Sequence, residues 1–259
     1  MRIYAGPGPY DSPRFFRGAC EAIAALGGVV FMVSPGDVDP PAGVLWTITT
    51  TLGTDFQWYP AVGNHEVETP EDMEWLRSYD YGPVYLGPPG CPTTTYSFDY
   101  GNAHFVVLNV YCDERGDAVT DGDISDHLYG WLAADLAATK QPHIFVFGHE
   151  PAFLQPDALT GRVRHIGDSL DAHPAHRDRF WQLLRDRGVW GYICGHTHNY
   201  SAVQMDGVWQ LDAGHARGMG DTGAPSTFLI VRVKGSEVTF EVYRDDMQGG
   251  PYRLVEKGE

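Results

Sequence analysis

Four times along this 259-residue chain an apolar run breaks into a short glycine-led polar motif. Val29 to Val33 leads to Gly36-Asp37, and Tyr59 to Val62 leads to Gly63-Asn64-His65-Glu66. His143 to Phe147 leads to Gly148-His149-Glu150, and Val189 to Cys194 leads to Gly195-His196-Thr197-His198. Short apolar runs bounded by turn signals are buried strands. Glycine lets the chain turn sharply as it leaves each one. The series therefore restricts the chain to an α/β sheet whose strand ends present Asp, Asn and His in a fixed order. Ligands gather at the carboxyl ends of such strands. Asp, Asn and His are also the donors that hard and borderline divalent metals take. A lone strand-end His is more often a hydrogen-bonded core residue, and a lone Asn a turn residue. In series they point to a metal-dependent hydrolase.

The intervening segments fit that frame. Residues 13–26 alternate at helical spacing and end at Gly27-Gly28, a C-cap signal. A second helix is expected over Ala42 to Leu52, and Thr69-Pro70-Glu71-Asp72 reads as a helix start. Helices are also expected over Ser125 to Ala138, with Leu128, Trp131, Leu132 and Leu136 on one face, and over Pro174 to Asp186. Residues 94–109 read as a hairpin turning at Gly101-Asn102. Short strands follow at Tyr200 to Met205, Val208 to Ala213, Thr227 to Val233 and Val238 to Tyr243. Residues 155–173 are polar and irregular, and carry His165, Asp168, Asp171 and His173; with His176 just beyond, they read as a substrate lid or a solvated loop. There is no linker, repeat or low-complexity stretch, so residues 1–259 are expected to form one domain.

Composition narrows the function classes. With 34 acidic against 18 basic residues the formal net charge is -16. That balance suits solubility and makes nucleic acid an unlikely partner, since such binders cluster Lys and Arg. No apolar run reaches the roughly 20 residues of a membrane span. The start, Met1-Arg2-Ile3-Tyr4-Ala5, lacks the apolar core of a signal peptide; a trimmed mature form would look the same, so the expectation is cytoplasmic for a complete chain and exported for a trimmed one. The four cysteines make no CxxC pair, which excludes a zinc ribbon. Cys20 and Cys194 sit in apolar patterns and are expected in the core. Cys91 and Cys112 would face each other if the hairpin ladder ran on past its central pairs, but Pro92 and fraying oppose so long a ladder. A cross-strand disulfide and two free thiols both stand as readings.

The ordered motifs resemble the calcineurin-like metallophosphoesterase superfamily, which includes purple acid phosphatases and many phosphodiesterases. The similarity runs from about residue 29 to residue 215 and is most specific in Gly63-Asn64-His65-Glu66, the strand-end His149 and Gly195-His196-Thr197-His198. The resemblance implies a four-layer α/β/β/α sandwich with a two-metal centre, and the expected cofactors are one or two divalent ions, Mn, Fe or Zn. It matches Asp37 to the carboxylate that bridges two metals. Asn64, His149 and His196 match the remaining ligands of the second metal, and His198 matches a ligand of the first. His65 matches the residue that contacts the phosphoryl group or protonates the leaving group. Two cations roughly 3.5–4 Å apart would clamp a phosphoryl oxygen and activate water, with a histidine to protonate the departing oxygen.

Two positions depart from the family pattern. The first strand should deliver an Asp-x-His, yet the chain reads Ala5-Gly6-Pro7-Gly8-Pro9-Tyr10-Asp11, with Asp11 several residues late. The third residue after Asp37 should be Asp, Asn or Tyr; here it is Pro40, with Asp39 one position early. A tyrosine-coordinated iron site is not expected. The second metal site is complete in sequence, while the first is anchored only by Asp37 and His198. Three readings stand: Asp37, His198 and water bind it weakly, Asp11 or His215 completes it, or the expected Asp belongs to a first strand that precedes this sequence. Arg217 is a candidate phosphate clamp. Glu66 and Glu150 are expected to support the ligands from behind, and His104, His127 and His143 to be structural. The expected activity is hydrolysis of a small or exposed phosphate mono- or diester. Hydrolysis of a non-phosphate ester on the same scaffold, and a metal-binding module with a partly decayed centre, are the alternatives. The sequence carries no signal of oligomeric state.

Overall fold

The computed structural model describes residues 15–216 and 223–259. Its helices are α1 (Phe16–Leu26), α2 (Pro41–Leu52), α3 (Asn64–Glu68), α4 (Pro70–Ser78), α5 (Asp126–Ala138) and α6 (Pro174–Asp186). Its strands are β1 (Phe31–Ser34), β2 (Gln57–Pro60), β3 (Tyr85–Leu86), β4 (Tyr96–Tyr100), β5 (Ala103–Val107), β6 (His143–Phe147), β7 (Gly191–Cys194), β8 (Tyr200–Met205), β9 (Val208–Ala213), β10 (Thr227–Lys234), β11 (Glu237–Arg244) and β12 (Arg253–Gly258). The expected helices and strands are all found, with ends shifted by a few residues at most. The sequence reading lacked α3, β3 and β12.

A seven-stranded mixed sheet runs in the order β3-β4-β5-β6-β7-β9-β8. Its central strands β5, β6, β7 and β9 are parallel. They read as continuous apolar runs because both faces are covered. Val106, Ile144, Val146, Tyr192 and Cys194 point to one face, where they meet Leu76 of α4, Leu128, Leu132 and Leu136 of α5, and Phe180 and Leu184 of α6. The alternate residues Phe105, Val107, Phe145, Phe147 and Ile193 point the other way, against Tyr59, Phe240 and Val242. That second core belongs to two further sheets, the parallel pair β1-β2 and the antiparallel set β10-β11-β12. Outside them lie α1 and α2: Phe16, Cys20, Val44 and Ile48 pack with Trp58, and Ala19 and Ile23 with Phe228 and Ile230. The order of layers is thus helix, sheet, sheet, helix, as the family resemblance implied.

The hairpin has the expected register, Tyr96 opposite Val107 through Tyr100 opposite Ala103. The ladder ends there, and Cys91 and Cys112 join in a disulfide beyond it. Cys20 and Cys194 are free and buried. Among the described residues no helix is long and apolar enough to cross a membrane. A cavity of about 620 Å³ between α1, β1 and β10 is lined chiefly by apolar side chains such as Phe31, Val33, Phe228 and Ile230; Asp37, Asn64, His149 and His196 line none of it. The polar chemistry lies at the carboxyl ends of β1, β2, β6 and β7, which converge on one edge.

Candidate metal centre

Close approach of two loops builds the centre. Gly36 follows β1 with φ +85°, and a Cβ on it would lie 2.5 Å from His149 Nδ1 and 2.8–2.9 Å from the Gly63 backbone. A Cβ on Gly63 would collide with the Asp37 amide. Side chains are therefore excluded where the β1 and β2 loops touch. Glu66 latches them. Its buried carboxylate accepts the amides of Asp37 (3.0 Å), Val38 (2.7 Å) and Gly63 (2.7 Å). Burial and then the nearby Asp37 carboxylate raise the Glu66 pKa, against the pull of the Gly63 and Val38 amides. The last two amides of that latch would otherwise be orphaned at a turn, where an unpaired buried donor is costly.

Around this latch, proton acceptors converge. His149 Nδ1 lies 2.8 Å from the Pro35 carbonyl. A carbonyl can only accept, so Nδ1 carries the proton and Nε2 holds a lone pair. That Nε2 lies 3.1 Å from His196 Nδ1, 3.2 Å from Asn64 Oδ1 and 3.4 Å from Asp37 Oδ1. His196 Nε2 in turn lies 2.9 Å from the Asp168 carbonyl. Its Nδ1 is therefore also a lone pair facing inward. Burial, followed by the neighbouring histidines, holds the His149 pKa well below its ordinary value. Burial, then His149 and His165, pushes that of His196 down to about 3. Both rings are neutral, the form in which imidazole binds a metal. Two imidazole nitrogens, an amide oxygen and a carboxylate oxygen face one another with no proton among them. The donor set fits a borderline divalent cation.

The backbone is strained at the same place. Asp37, His196 and His198 have φ of 54°, 66° and 60°. The left-handed region costs non-glycine residues on the order of 1–3 kcal/mol each and concentrates at functional sites. His65 opens α3, and its amide donates to Asp37 Oδ1 (3.2 Å). Its Nε2 lies 3.8 Å from Asp37 Oδ2, and its side chain is 28% exposed, so it can reach a ligand from solvent.

Of the described residues assigned to a first metal, Asp37 belongs to this cluster, and His198 lies near enough to help lower the His149 pKa. His198 contacts Arg164, whose Nη1 sits at hydrogen-bonding range from His198 Nδ1. His215 is buried with its ring 5.8 Å from that of His198, and its Nε2 lies 2.9 Å from the Ala224 carbonyl. It therefore borders His198 rather than the acceptor cluster. Asp39 helps to raise the pKa of Glu66 and Asp72; its peptide bond to Pro40 is cis. Asp11 and Arg217 lie outside the described residues.

The segment 155–173, expected as a lid or a solvated loop, supplies further groups. Asp157 is buried and accepts the Tyr200 amide (2.9 Å), the amides of Leu159 and Thr160, and the Arg244 guanidinium (2.6 Å). Arg162 Nε donates to Asn199 Oδ1 (2.8 Å), and Asn199 Nδ2 donates back to the Arg162 carbonyl (2.9 Å). Arg164 and His165 are thereby carried onto the Gly195–Tyr200 turn. The His165 ring centroid is 4.0 Å from that of His196. Ligand-type atoms of His165, Asp168 and His196 lie within 4.8 Å of one another. The Asp168 carbonyl on His196 Nε2 orients that ring. Glu150 stands behind His149: Tyr111 donates to it (2.8 Å), and burial raises its pKa to about 8. The segment has no periodicity or motif; its length and its His and Asp residues are the signals in the sequence.

Layer order and a strand-end cluster of Asp, Asn and His define a metallophosphoesterase-type α/β protein. The chain belongs to the calcineurin-like phosphoesterase family, whose model matches residues 12–200. These are metal-dependent phosphoesterases, and the matched span holds all four motifs. Rat (Rattus norvegicus) tartrate-resistant acid phosphatase type 5 is 30% identical over 129 residues, 49% of this chain and 34% of that protein. The chain thus matches about a third of that relative's length. Among solved structures, GAP50, the anchor in the inner membrane complex of Plasmodium, is similar with a TM-score of 0.62 at 13% identity, covering 100% of this chain and 88% of that one. A putative 5'-nucleotidase from Staphylococcus aureus is similar with a TM-score of 0.51 at 14% identity, covering 96% of this chain and 48% of that one. At such identities these two likenesses concern the fold alone.

Proposed function

We propose that this chain, acting as one domain, hydrolyses a small or exposed phosphate ester at a centre ligated by Asp37, Asn64, His149 and His196. The observation that carries this reading is the inward convergence of proton-free acceptors on His149 Nε2, at 3.1–3.4 Å. A divalent cation held there would polarise a phosphoryl oxygen and lower the pKa of water, so no protein nucleophile is needed. Pro35 and Asp168 fix the tautomers of the two imidazoles, and Glu66 fixes the loop of Asp37. His65, half-buried beside Asp37, donates a proton from its ring to the departing oxygen. An acidic surface of net charge -16 disfavours polyanionic substrates such as nucleic acid and leaves small or singly exposed phosphates.

A panel of phosphate monoesters, phosphate diesters and carboxylate esters, assayed on chelator-treated protein with and without added Mn²⁺, tests this reading. Metal-stimulated release of phosphate or alcohol from a phosphate ester is expected. Turnover confined to carboxylate esters would move the activity to the alternative hydrolase. No metal-stimulated turnover across the panel would overturn the proposal.

A further inference from the structure

We infer that the centre takes one divalent cation, and that the Arg164 guanidinium supplies the second positive charge, against His198. This rests on the metal reading above and departs from the two-ion arrangement that the family resemblance implies.

The first ground is the count of lone pairs on His198. Arginine has only donors and keeps its charge at any ordinary pH. Its contact with His198 Nδ1 therefore consumes a lone pair of the ring. A neutral imidazole with an accepting Nδ1 carries its proton on Nε2. No nitrogen of His198 is then left to ligate a metal. His149 and His196 are arranged the opposite way, each with N–H on a carbonyl and its lone pair turned inward.

The second ground is that Arg164 is delivered by built structure. Its Nη1 also lies 3.4 Å from the Thr197 carbonyl. Two residues earlier, Arg162 is paired both ways with Asn199, and its Nη2 lies 3.2 Å from the His198 carbonyl. Asp157 anchors the start of the segment to the Tyr200 amide and to Arg244. These clamps hold the backbone on either side of His198 to the backbone leading to Arg164. Moving the guanidinium off His198 would mean breaking them or swinging a permanent cation aside to admit a divalent one.

The third ground is charge. A second divalent ion needs carboxylates, and among the described residues Asp37 and Asp212 are already committed. Asp37 faces His149 and the His65 amide. Asp212 accepts the Thr197 hydroxyl and the Gly214 amide. A single cation beside a guanidinium keeps two positive groups for the non-bridging oxygens of one phosphoryl group, and guanidinium geometry suits such oxygens.

Titration of the chelator-stripped full chain with Mn²⁺, with bound metal measured by elemental analysis after desalting, tests the inference without using activity. One equivalent per chain is expected. His198→Ala should leave the affinity for that equivalent within twofold, whereas His149→Ala should weaken it at least 100-fold. On ¹⁵N-labelled protein, Zn²⁺ should shift the inward ring nitrogens of His149 and His196 and leave His198 in its Nε2–H form. Two equivalents in the unmodified chain, or a tenfold weaker first equivalent in His198→Ala, would overturn the single-ion centre while sparing the proposed function. Zero equivalents would overturn both.

Discussion

Two groupings of histidine and acid stand at opposite ends of the seven-stranded sheet. Near the start of β5, His104 lies between two carboxylates, with Nδ1 2.7 Å from Asp99 and Nε2 2.8 Å from Asp135. Burial works to lower its pKa and is outweighed by hydrogen bonds to Asp135 and Asp99, so the net shift is upward. Both nitrogens are donors, and the ring is an imidazolium that cross-links β4, β5 and α5. Beyond the carboxyl ends of β6 and β7, His149 and His196 each spend one N–H on a carbonyl and turn the other nitrogen toward acceptors. Those rings are neutral. Residue type is the same in both places, and the partners alone separate a closed structural tie from an open cation site. A histidine whose two nitrogens both meet acceptors of its own is finished; one with an inward lone pair is not.

Each side of this contrast can be broken by substitution. The largest effect is expected at His149, where Ala should reduce metal-stimulated hydrolysis by about 100-fold or more with an unchanged circular dichroism spectrum; wild-type turnover would remove His149 from the centre. Glu66→Ala would orphan the amides of Asp37, Val38 and Gly63. Its expected cost is about 2 kcal/mol in urea unfolding, together with weaker Mn²⁺ binding. Equal stability would mean that water takes over the latch.

His104→Asn tests the other end of the sheet. Because the folded pKa of His104 is raised, its contribution is fully present below the ordinary value of about 6.5 and is lost as pH rises through the folded value. The variant should be less stable by about 1.5 kcal/mol at acid pH, and the gap should close toward alkaline pH. A gap independent of pH would show that packing, not charge, is what His104 provides. The smallest effect is expected for Asn64→Ala, about tenfold in Mn²⁺ affinity, since a neutral amide oxygen is the weakest member of the donor set. An unaltered titration curve would leave the cluster with only three protein ligands.

Periodicity made much of the fold legible before any coordinates. The bounds of β6, α6, β8 and β9 coincide with the expected ones. Apolar runs and caps are local signals, and these elements are stabilised where those signals say. The short edge strand β3, the single-turn helix α3 and the exposed β12 were not legible, because nothing in their own residues separates them from loop. The disulfide stood open for a related reason: the hairpin ladder stops at Tyr96 and Val107, and the chain beyond it chooses its own path to bring Cys91 and Cys112 together. In the candidate centre, the sequence pointed to Asp37, Asn64, His149 and His196, which meet, and to His65, which stands beside them. It also put His198 with a metal and offered Arg217 as the phosphate clamp. Arg217 lies outside the described residues, and Arg164 reaches His198 from 34 residues away, out of a segment without any motif.

Strand ends, and the donors that stand at them, are legible in the chain because burial period and glycine turns are written in neighbouring residues. Which nitrogen of each histidine keeps its proton is set by the folded surroundings. That choice depends on carbonyls, carboxylates and a guanidinium distant in sequence, such as Pro35 against His149 across 114 residues. Imidazole has one proton to place when neutral, and the partner that claims it determines whether the remaining lone pair faces a cation or is already taken.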